Sequence, residues 1–167
     1  MSCVQTRPVG KQEGRTAPVT QYDGTFALNM SVPKITIGRL EHIALTDLGV
    51  PRVIAKIDTG AYRSAIHYQD LGIRTVNGER KLVVTFQMGG VRKKMIFSRF
   101  KRVKVKSSNG SISNRYLIST VVRLNDHAVR TQFTLFDRSD MKFQVLLGRK
   151  FLQGRFLVDV SEKYLLG

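Results

Sequence analysis

Ile57-Asp58-Thr59-Gly60-Ala61 places an acid, a hydroxyl residue, a glycine and a small residue in direct succession. Such a run suits a carboxylate held rigidly on a sharp turn. Gly60 lets the backbone turn tightly and approach a neighbour closely. Thr59 can hydrogen-bond to an adjoining loop, and Ala61 leaves room beside the acid. One carboxylate is poorly equipped for hydrolysis on its own. Two of them about 3 Å apart cannot both ionise, so they share a proton. The ionised member takes a proton from water while the protonated member donates to a substrate carbonyl, and the pair titrates as a unit. The chain holds no second Asp-Thr-Gly or Asp-Ser-Gly, and Asp23-Gly24 has no apolar strand before it. The pattern therefore predicts that the second acid is Asp58 of another copy, brought opposite by a two-fold axis.

Other polar candidates read as structural. Asp137 and Asp140 flank Arg138 and Ser139, the pattern of a solvated turn with a local ion pair. Asp159 lies in an apolar strand without a following glycine. His67 follows an apolar stretch and reads as a satisfied core or edge histidine.

The elements that must position Asp58 are mostly strands. Ile35 to Leu45 alternates as one strand with a bulge at Gly38. Leu48-Gly49-Val50-Pro51 reads as a turn. Arg52 to Ile57 is a strand that ends in Asp58-Thr59-Gly60. Further strands are expected at Leu82 to Phe86, Val91 to Phe97 and Arg102 to Lys106, with a turn at Met88-Gly89-Gly90. Ser107-Ser108-Asn109-Gly110-Ser111 signals a hairpin, because Asn-Gly readily takes the positive φ of tight turns. Strands follow at Arg115 to Arg123 and Val129 to Phe136, around a turn at Asn125-Asp126-His127. Gln144 to Leu147 is a short apolar strand. Gly148 to Gly154 predicts one or two helical turns closed by glycine, and Arg155 to Val160 a last strand. Many short strands with little helix indicate an all-β barrel or sandwich.

The chain has 167 residues, 42% of them hydrophobic, enough for one globular domain. Residues 1–33 carry three of the four prolines and no sustained periodicity, so they read as a flexible arm before a domain spanning 34–167. No apolar run approaches 18 residues, which predicts no membrane span. The polar N-terminal stretch lacks an apolar leader, making the cytoplasm the default location. Cys3 is the only cysteine, so no intrachain disulfide or thiolate cluster can form. The net charge is +16, and Arg80 to Asn125 holds twelve Lys or Arg with no Asp or Glu. Such a field attracts acidic peptides, ribosomes or nucleic acid. Single-strand binders interleave aromatics for stacking. Only Phe86, Phe97, Phe100 and Tyr116 are available here, which favours an acidic protein partner over nucleic acid.

These residues resemble a known family. The Asp58 run is similar to the active-site loop of retropepsin-like aspartic peptidases. The hairpin around Ser107 to Ser111 sits where their substrate-covering flap would be. Val145-Leu146-Leu147-Gly148-Arg149 resembles their apolar-apolar-Gly-Arg segment, which supports the catalytic loop ahead of a short helix. Ala55 to Ala61, Ser64 to His67, Ser107 to Gly110, Asp137 to Met141 and Leu146 to Asp159 resemble one bacterial and archaeal branch. That branch is usually labelled "ATP-dependent zinc protease" and is often linked to a ribosomal-protein glutamate ligase. The resemblance covers about Ile35 to Leu166. It implies a closed retropepsin-like barrel with one short helix near the C-terminus, a homodimer, and peptide-bond hydrolysis with Asp58, Thr59 and Gly60 at the catalytic centre. It implies substrate contacts from Ala61 and from Lys106, Ser107, Ser108, Asn109, Gly110 and Ser111. Leu146, Leu147, Gly148 and Arg149 would brace the loop. The substrate would be acidic, such as a glutamate tail on a ribosomal protein. The label itself finds no counterpart in the residues. His-Glu-x-x-His is absent, and His42, His67 and His127 are scattered. Gly10-Lys11 lacks the upstream glycine of a P-loop, with Gln5 in its place. Neither zinc nor ATP is expected. A reading of another class is a non-catalytic basic module that docks on nucleic acid or ribosomes.

Overall fold

The computed structural model describes residues 33–106 and 110–166. Among the described residues there are, besides one 3-10 turn, twelve strands and one short α-helix. In order they are β1 (Ile35–Gly38), β2 (Leu40–Leu45), β3 (Val50–Asp58), β4 (Ser64–Ile66), β5 (Asp70–Val76), β6 (Glu79–Met88), β7 (Val91–Phe97), β8 (Lys101–Lys106), β9 (Ile112–Leu124), β10 (His127–Leu135), β11 (Val145–Gly148), α1 (Arg149–Leu152) and β12 (Phe156–Asp159). The largest sheet runs β10-β4-β11-β3-β2-β9-β8, and β10 also pairs with β9. That extra pairing closes six strands into a barrel and leaves β8 as an appended edge. β5, β6 and β7 form an antiparallel three-stranded sheet, and β1 and β12 pair in parallel. The all-β, barrel-like expectation with one short helix holds.

Closure follows from alternation. β2 buries Glu41, Ile43 and Leu45 on one side, and β9 buries Ile118, Thr120, Val122 and Leu124. Ile43, Leu45, Ile118, Val122 and Leu124 meet Leu147, Phe133 and Phe151 in a single apolar core. Each such Ile, Leu or Phe contributes about 1.5–3 kcal/mol by leaving water. Glu41 is fully buried, yet its carboxylate is satisfied. It accepts bonds from Gly38 N–H at 2.7 Å, Leu165 N–H at 3.1 Å and Leu166 N–H at 3.2 Å. The acid thereby clasps the C-terminal segment to the barrel.

Ile35 to Leu45 is not one bulged strand. It breaks at Arg39 into β1, which pairs with β12, and β2, which pairs with β3. Gly38 marks a crossing instead of a bulge, since a Cβ there would lie 2.6 Å from Lys163 Cα. The turn expected from Leu48 begins earlier, as a 3-10 turn over Thr46–Leu48 closed by Gly49 in the left-handed region. β4 and β5 have no counterpart among the expected strands. The strand expected at Val91 to Phe97 is present with those bounds. The proposed arm at residues 1–33 lies outside the described residues apart from Pro33, and so do Ser107, Ser108 and Asn109.

Candidate functional site around Asp58

β3 ends at Asp58, and the chain then turns through Thr59 and Gly60. Asp58 Oδ1 accepts two main-chain bonds, from Gly60 N–H and Ala61 N–H, both at 3.1 Å. The side chain thus shapes its own turn, a habit of aspartate. Among the described residues no hydrogen bond reaches Oδ2. One oxygen is anchored and the other is open. Asp58 is half-buried, whereas Thr59, Gly60 and Tyr62 are exposed.

β11 supports this turn from beside it. It runs parallel to β3 with Gly148 opposite Asp58 and Leu147 opposite Ile57. Gly148 N–H donates to Ser64 Oγ at 3.2 Å. A Cβ at Gly148 would sit 2.7 Å from the Arg63 carbonyl carbon and 2.8 Å from Ala61 O, both backbone atoms. Only glycine permits that approach. Arg149 N–H then donates to Ala61 O at 2.8 Å, and Lys150 N–H to Tyr62 O at 3.0 Å. The Arg149 guanidinium reaches back as well, giving Nη1 to Thr59 O at 3.1 Å and Gly60 O at 2.7 Å. Asp58, Thr59, Gly60 and Ala61 are therefore brought together with Leu147, Gly148 and Arg149. Leu146 extends the same strand against Lys56 and Ala65.

The hairpin carrying Lys106, Gly110 and Ser111 forms between β8 and β9, with Lys106 paired to Ile112. Gly110 has φ +84°. Its return strand supplies a residue that sequence reasoning passed over. Arg115 lays its guanidinium 3.7 Å from the Phe136 ring centroid and donates from Nε to Ser113 Oγ at 2.9 Å. A cation over a ring in this way contributes about 0.5–2 kcal/mol.

Arg138 was the second omission. It does not join a local ion pair with Asp137 or Asp140. Its Nε donates to Phe143 O at 2.8 Å, and its N–H donates to His67 Nδ1 at 3.0 Å. Asp137 instead lies 3.6 Å from His67 Nδ1 and accepts from Ser139 N–H at 3.0 Å. The Ser139 bonds, backbone first, hold the Asp137 carboxyl below its usual value. Burial lowers the pKa of Arg138, and the Asp58 charge opposes that shift. Burial also lowers the pKa of Arg115, assisted by the charge of Arg138. Arg138 is thus influenced by Asp58 and in turn influences Arg115, and both arginines stay charged. Nothing in local sequence separates these two from the other Lys and Arg of a chain that holds 28.

An open cleft of about 490 Å³ borders the Arg138 loop, lined by His67, Tyr68, Gln69, Gln87, Ser139 and Gln144. His67 is buried with Nδ1 satisfied, as its position suggested. His42 stacks on Tyr164, with centroids 4.5 Å apart. Among the described residues no three His, Cys, Asp or Glu gather as metal ligands. No helix among them is long and apolar enough to cross a membrane.

Comparison with known proteins follows the same lines. Residues 36–167 match the family model described as "Retropepsin-like aspartic endopeptidase RimB". The chain is 38% identical over 144 residues to a protein of Shewanella halifaxensis named "Probable alpha-L-glutamate ligase", covering 83% of this chain and 31% of that one. A Shewanella pealeana protein of the same name is 36% identical over the same shares. The chain thus spans about a third of the curated relatives it matches. A crystal structure of Lpg0085 from Legionella pneumophila, titled as a protein of unknown function, superposes with a TM-score of 0.66. It is 21% identical, with 81% of this chain and 100% of that one covered, and so shares the fold. With its barrel, its Asp58 turn and the Gly148-Arg149 brace all within the matched span, the chain belongs to the RimB-like family of retropepsin-like aspartic endopeptidases.

Proposed function

We propose that the domain of residues 34–167 is an aspartic-type peptidase whose active site is completed by a second copy. The observation that carries this reading is the asymmetry of the Asp58 carboxylate: Oδ1 is held by two backbone amides, and Oδ2 accepts no hydrogen bond among the described residues. An acid so fixed can present one oxygen to a water molecule and to a facing carboxyl. Asp58 of each chain then supplies one acid of the dyad. One takes a proton from the attacking water, and the other donates to the scissile carbonyl. Thr59 and Gly60 form the junction between copies, with Leu146, Leu147, Gly148 and Arg149 holding it in place. Ala61 and the hairpin from Lys106 through Ser107, Ser108, Asn109, Gly110 and Ser111 contact the substrate and exclude water.

Two features support the dimer. Thr59, Gly60 and Tyr62 are exposed where a facing loop would cover them. Among the described residues the β1–β12 sheet has two strands, each with an unpaired edge, and Leu157 and Val160 there are 52% and 69% exposed. The substrate is acidic. Exposed Lys101, Arg102, Lys104 and Lys106 on β8 favour such a chain, and the relatives named as glutamate ligases make glutamate-tailed protein the leading candidate.

Replacing Asp58 by Asn should abolish hydrolysis of a glutamate-tailed peptide and leave folding and the dimer intact. Full activity in Asp58→Asn would refute the mechanism. The basic face of β7 and β8 also supports a second reading, a non-catalytic module docking on nucleic acid or ribosomes. It predicts RNA affinity that falls steeply with salt and is indifferent to Asp58→Asn.

A further inference from the structure

A second cleft, of about 290 Å³, has neither Asp58 nor any residue of its turn in its lining. It gathers three cations, Arg130, Lys150 and Arg155, with the hydroxyl residues Ser119 and Thr131 and the amide of Gln132. No acid lines it. The β9–β10 ladder supplies one part, with Gln132 opposite Ser119 and Arg130 opposite Val121. Lys150 comes from α1, and Arg155 from the turn that follows it. These cations are held in place. Lys150 N–H donates to Tyr62 O at 3.0 Å, and its Nζ donates to Gln132 Oε1 at 2.8 Å, joining α1 to β10. Arg155 N–H donates to Leu152 O and its Nη1 to Phe151 O, both at 3.1 Å. Their charges are less well matched. Arg130 pairs with Asp47 at 3.1 Å. Among the described residues Lys150 and Arg155 have no carboxylate within 4.0 Å, and their bonds go to an amide oxygen and to carbonyls. The cleft therefore keeps two positive charges without an anion.

We propose that this cleft binds a phosphate dianion, as inorganic phosphate or as a phosphomonoester. Three features carry the inference. The first is charge: a phosphate group bears about −1.5 to −2 at neutral pH, which matches the two unmatched cations. A carboxylate bears half of that and would leave one cation over. The second is donor chemistry. Arginine offers a planar fork and lysine a point charge, and the hydroxyls beside them can serve the remaining oxygens of a tetrahedral anion. The third is size and lining. The space suits one small group in place of an extended chain. No aromatic side chain lines it, so a nucleic-acid strand would find no stacking platform, and each of its diester phosphates carries a single charge. A bound dianion would bridge α1 to β10 through Lys150 and Arg130. It would thereby stabilise the fold by mass action, whatever chemistry Asp58 performs.

The test is calorimetric titration of the full chain in Tris at fixed ionic strength. Inorganic phosphate and N-acetyl-phosphoserine amide are the probes, with acetate and N-acetyl-serine amide as controls. A Kd of about 1 mM or tighter is expected for the phosphates, and no measurable binding for the controls. Whichever phosphate binds more tightly identifies the source, a free ion or a phosphorylated side chain. Gln132→Glu keeps the side-chain shape, gives Lys150 a carboxylate partner and should weaken phosphate binding about tenfold or more. Arg130→Gln with Lys150→Gln should do the same. Arg74→Gln with Arg80→Gln removes the same net charge from the exposed β5–β6 hairpin and should change the Kd less than about twofold. Thermal unfolding without phosphate checks that each variant folds. Added phosphate should raise the wild-type midpoint and leave that of Gln132→Glu unmoved. Absence of phosphate binding, equal binding of acetate or of a dinucleotide phosphodiester, unchanged affinity in Gln132→Glu, or equal losses in the two double variants would overturn the inference.

Discussion

The Asp58 turn and the side chains of Arg115 and Arg138 are built on opposite plans. The turn is braced by main chain. Its amides bond Asp58 Oδ1, its carbonyls take the Arg149 guanidinium and two backbone N–H groups, and Gly148 lies against it with no room for a Cβ. Arg115 and Arg138 come from a hairpin strand and a loop, held at Nε and, among the described residues, without a carboxylate within 4.0 Å. The difference teaches that the two features have been shaped for different ends. Satisfied backbone bonds give precise placement and stability together. Unsatisfied charges lower stability and leave binding capacity in reserve.

Substitutions can break this contrast. Gly148→Val should have the largest effect, because its new side chain meets backbone on two sides. A loss of about 3–5 kcal/mol is expected in denaturant unfolding. Wild-type stability in that variant would show that the turn is not braced as described. Arg149→Lys keeps the charge and loses the forked geometry to Thr59 O and Gly60 O. As these bonds are exposed, a loss of about 1 kcal/mol is expected, with a larger proportional loss of hydrolysis. Arg138→Gln should be close to neutral for stability, within about 0.5–1 kcal/mol, since lost bonds are offset by relief of burial and of repulsion from Arg115. A destabilisation as large as that of Gly148→Val would place Arg138 among the structural braces.

The smallest effect concerns pH. Asp159 is held below its usual pKa by the Ser161 hydroxyl first and the Ser161 N–H second, at 2.5 and 2.9 Å. A lowered folded pKa means the carboxylate is favoured by folding. Its contribution is present above the ordinary carboxylate range and fades as pH falls through the lowered value. Thermal unfolding should therefore show Asp159→Asn to be less stable than wild type near neutral pH, with the gap closing in acid. A gap that widens in acid would reverse the assignment.

Much of the barrel was readable because its signals are local. Alternating basic and apolar residues marked the strand at Arg102 to Lys106, Asn125 and Gly110 marked turns, and Asp58-Thr59-Gly60 with Leu146 to Arg149 carried the supporting pair. What escaped depends on distant partners. β5 exposes Asp70, Arg74, Thr75 and Val76, so it shows no clean period of two. β4 has three residues, all buried, too few to display any period. Gly38 looked like a bulge because its real constraint, the passing backbone of Lys163, lies at the other end of the chain. Arg138 looked like part of a charged turn because adjacent Asp137 offered an obvious partner. The fold gave Asp137 to His67 and Ser139, and turned Arg138 toward Phe143.

The central claim is that each chain contributes one acid to a shared dyad. Wild-type and Asp58→Asn chains with distinguishable tags can be co-expressed at defined ratios and assayed on a glutamate-tailed peptide. If two Asp58 side chains are needed, activity per total protein falls with the square of the wild-type fraction. A linear fall, with each wild-type chain keeping its full activity beside an inactive partner, would contradict the account.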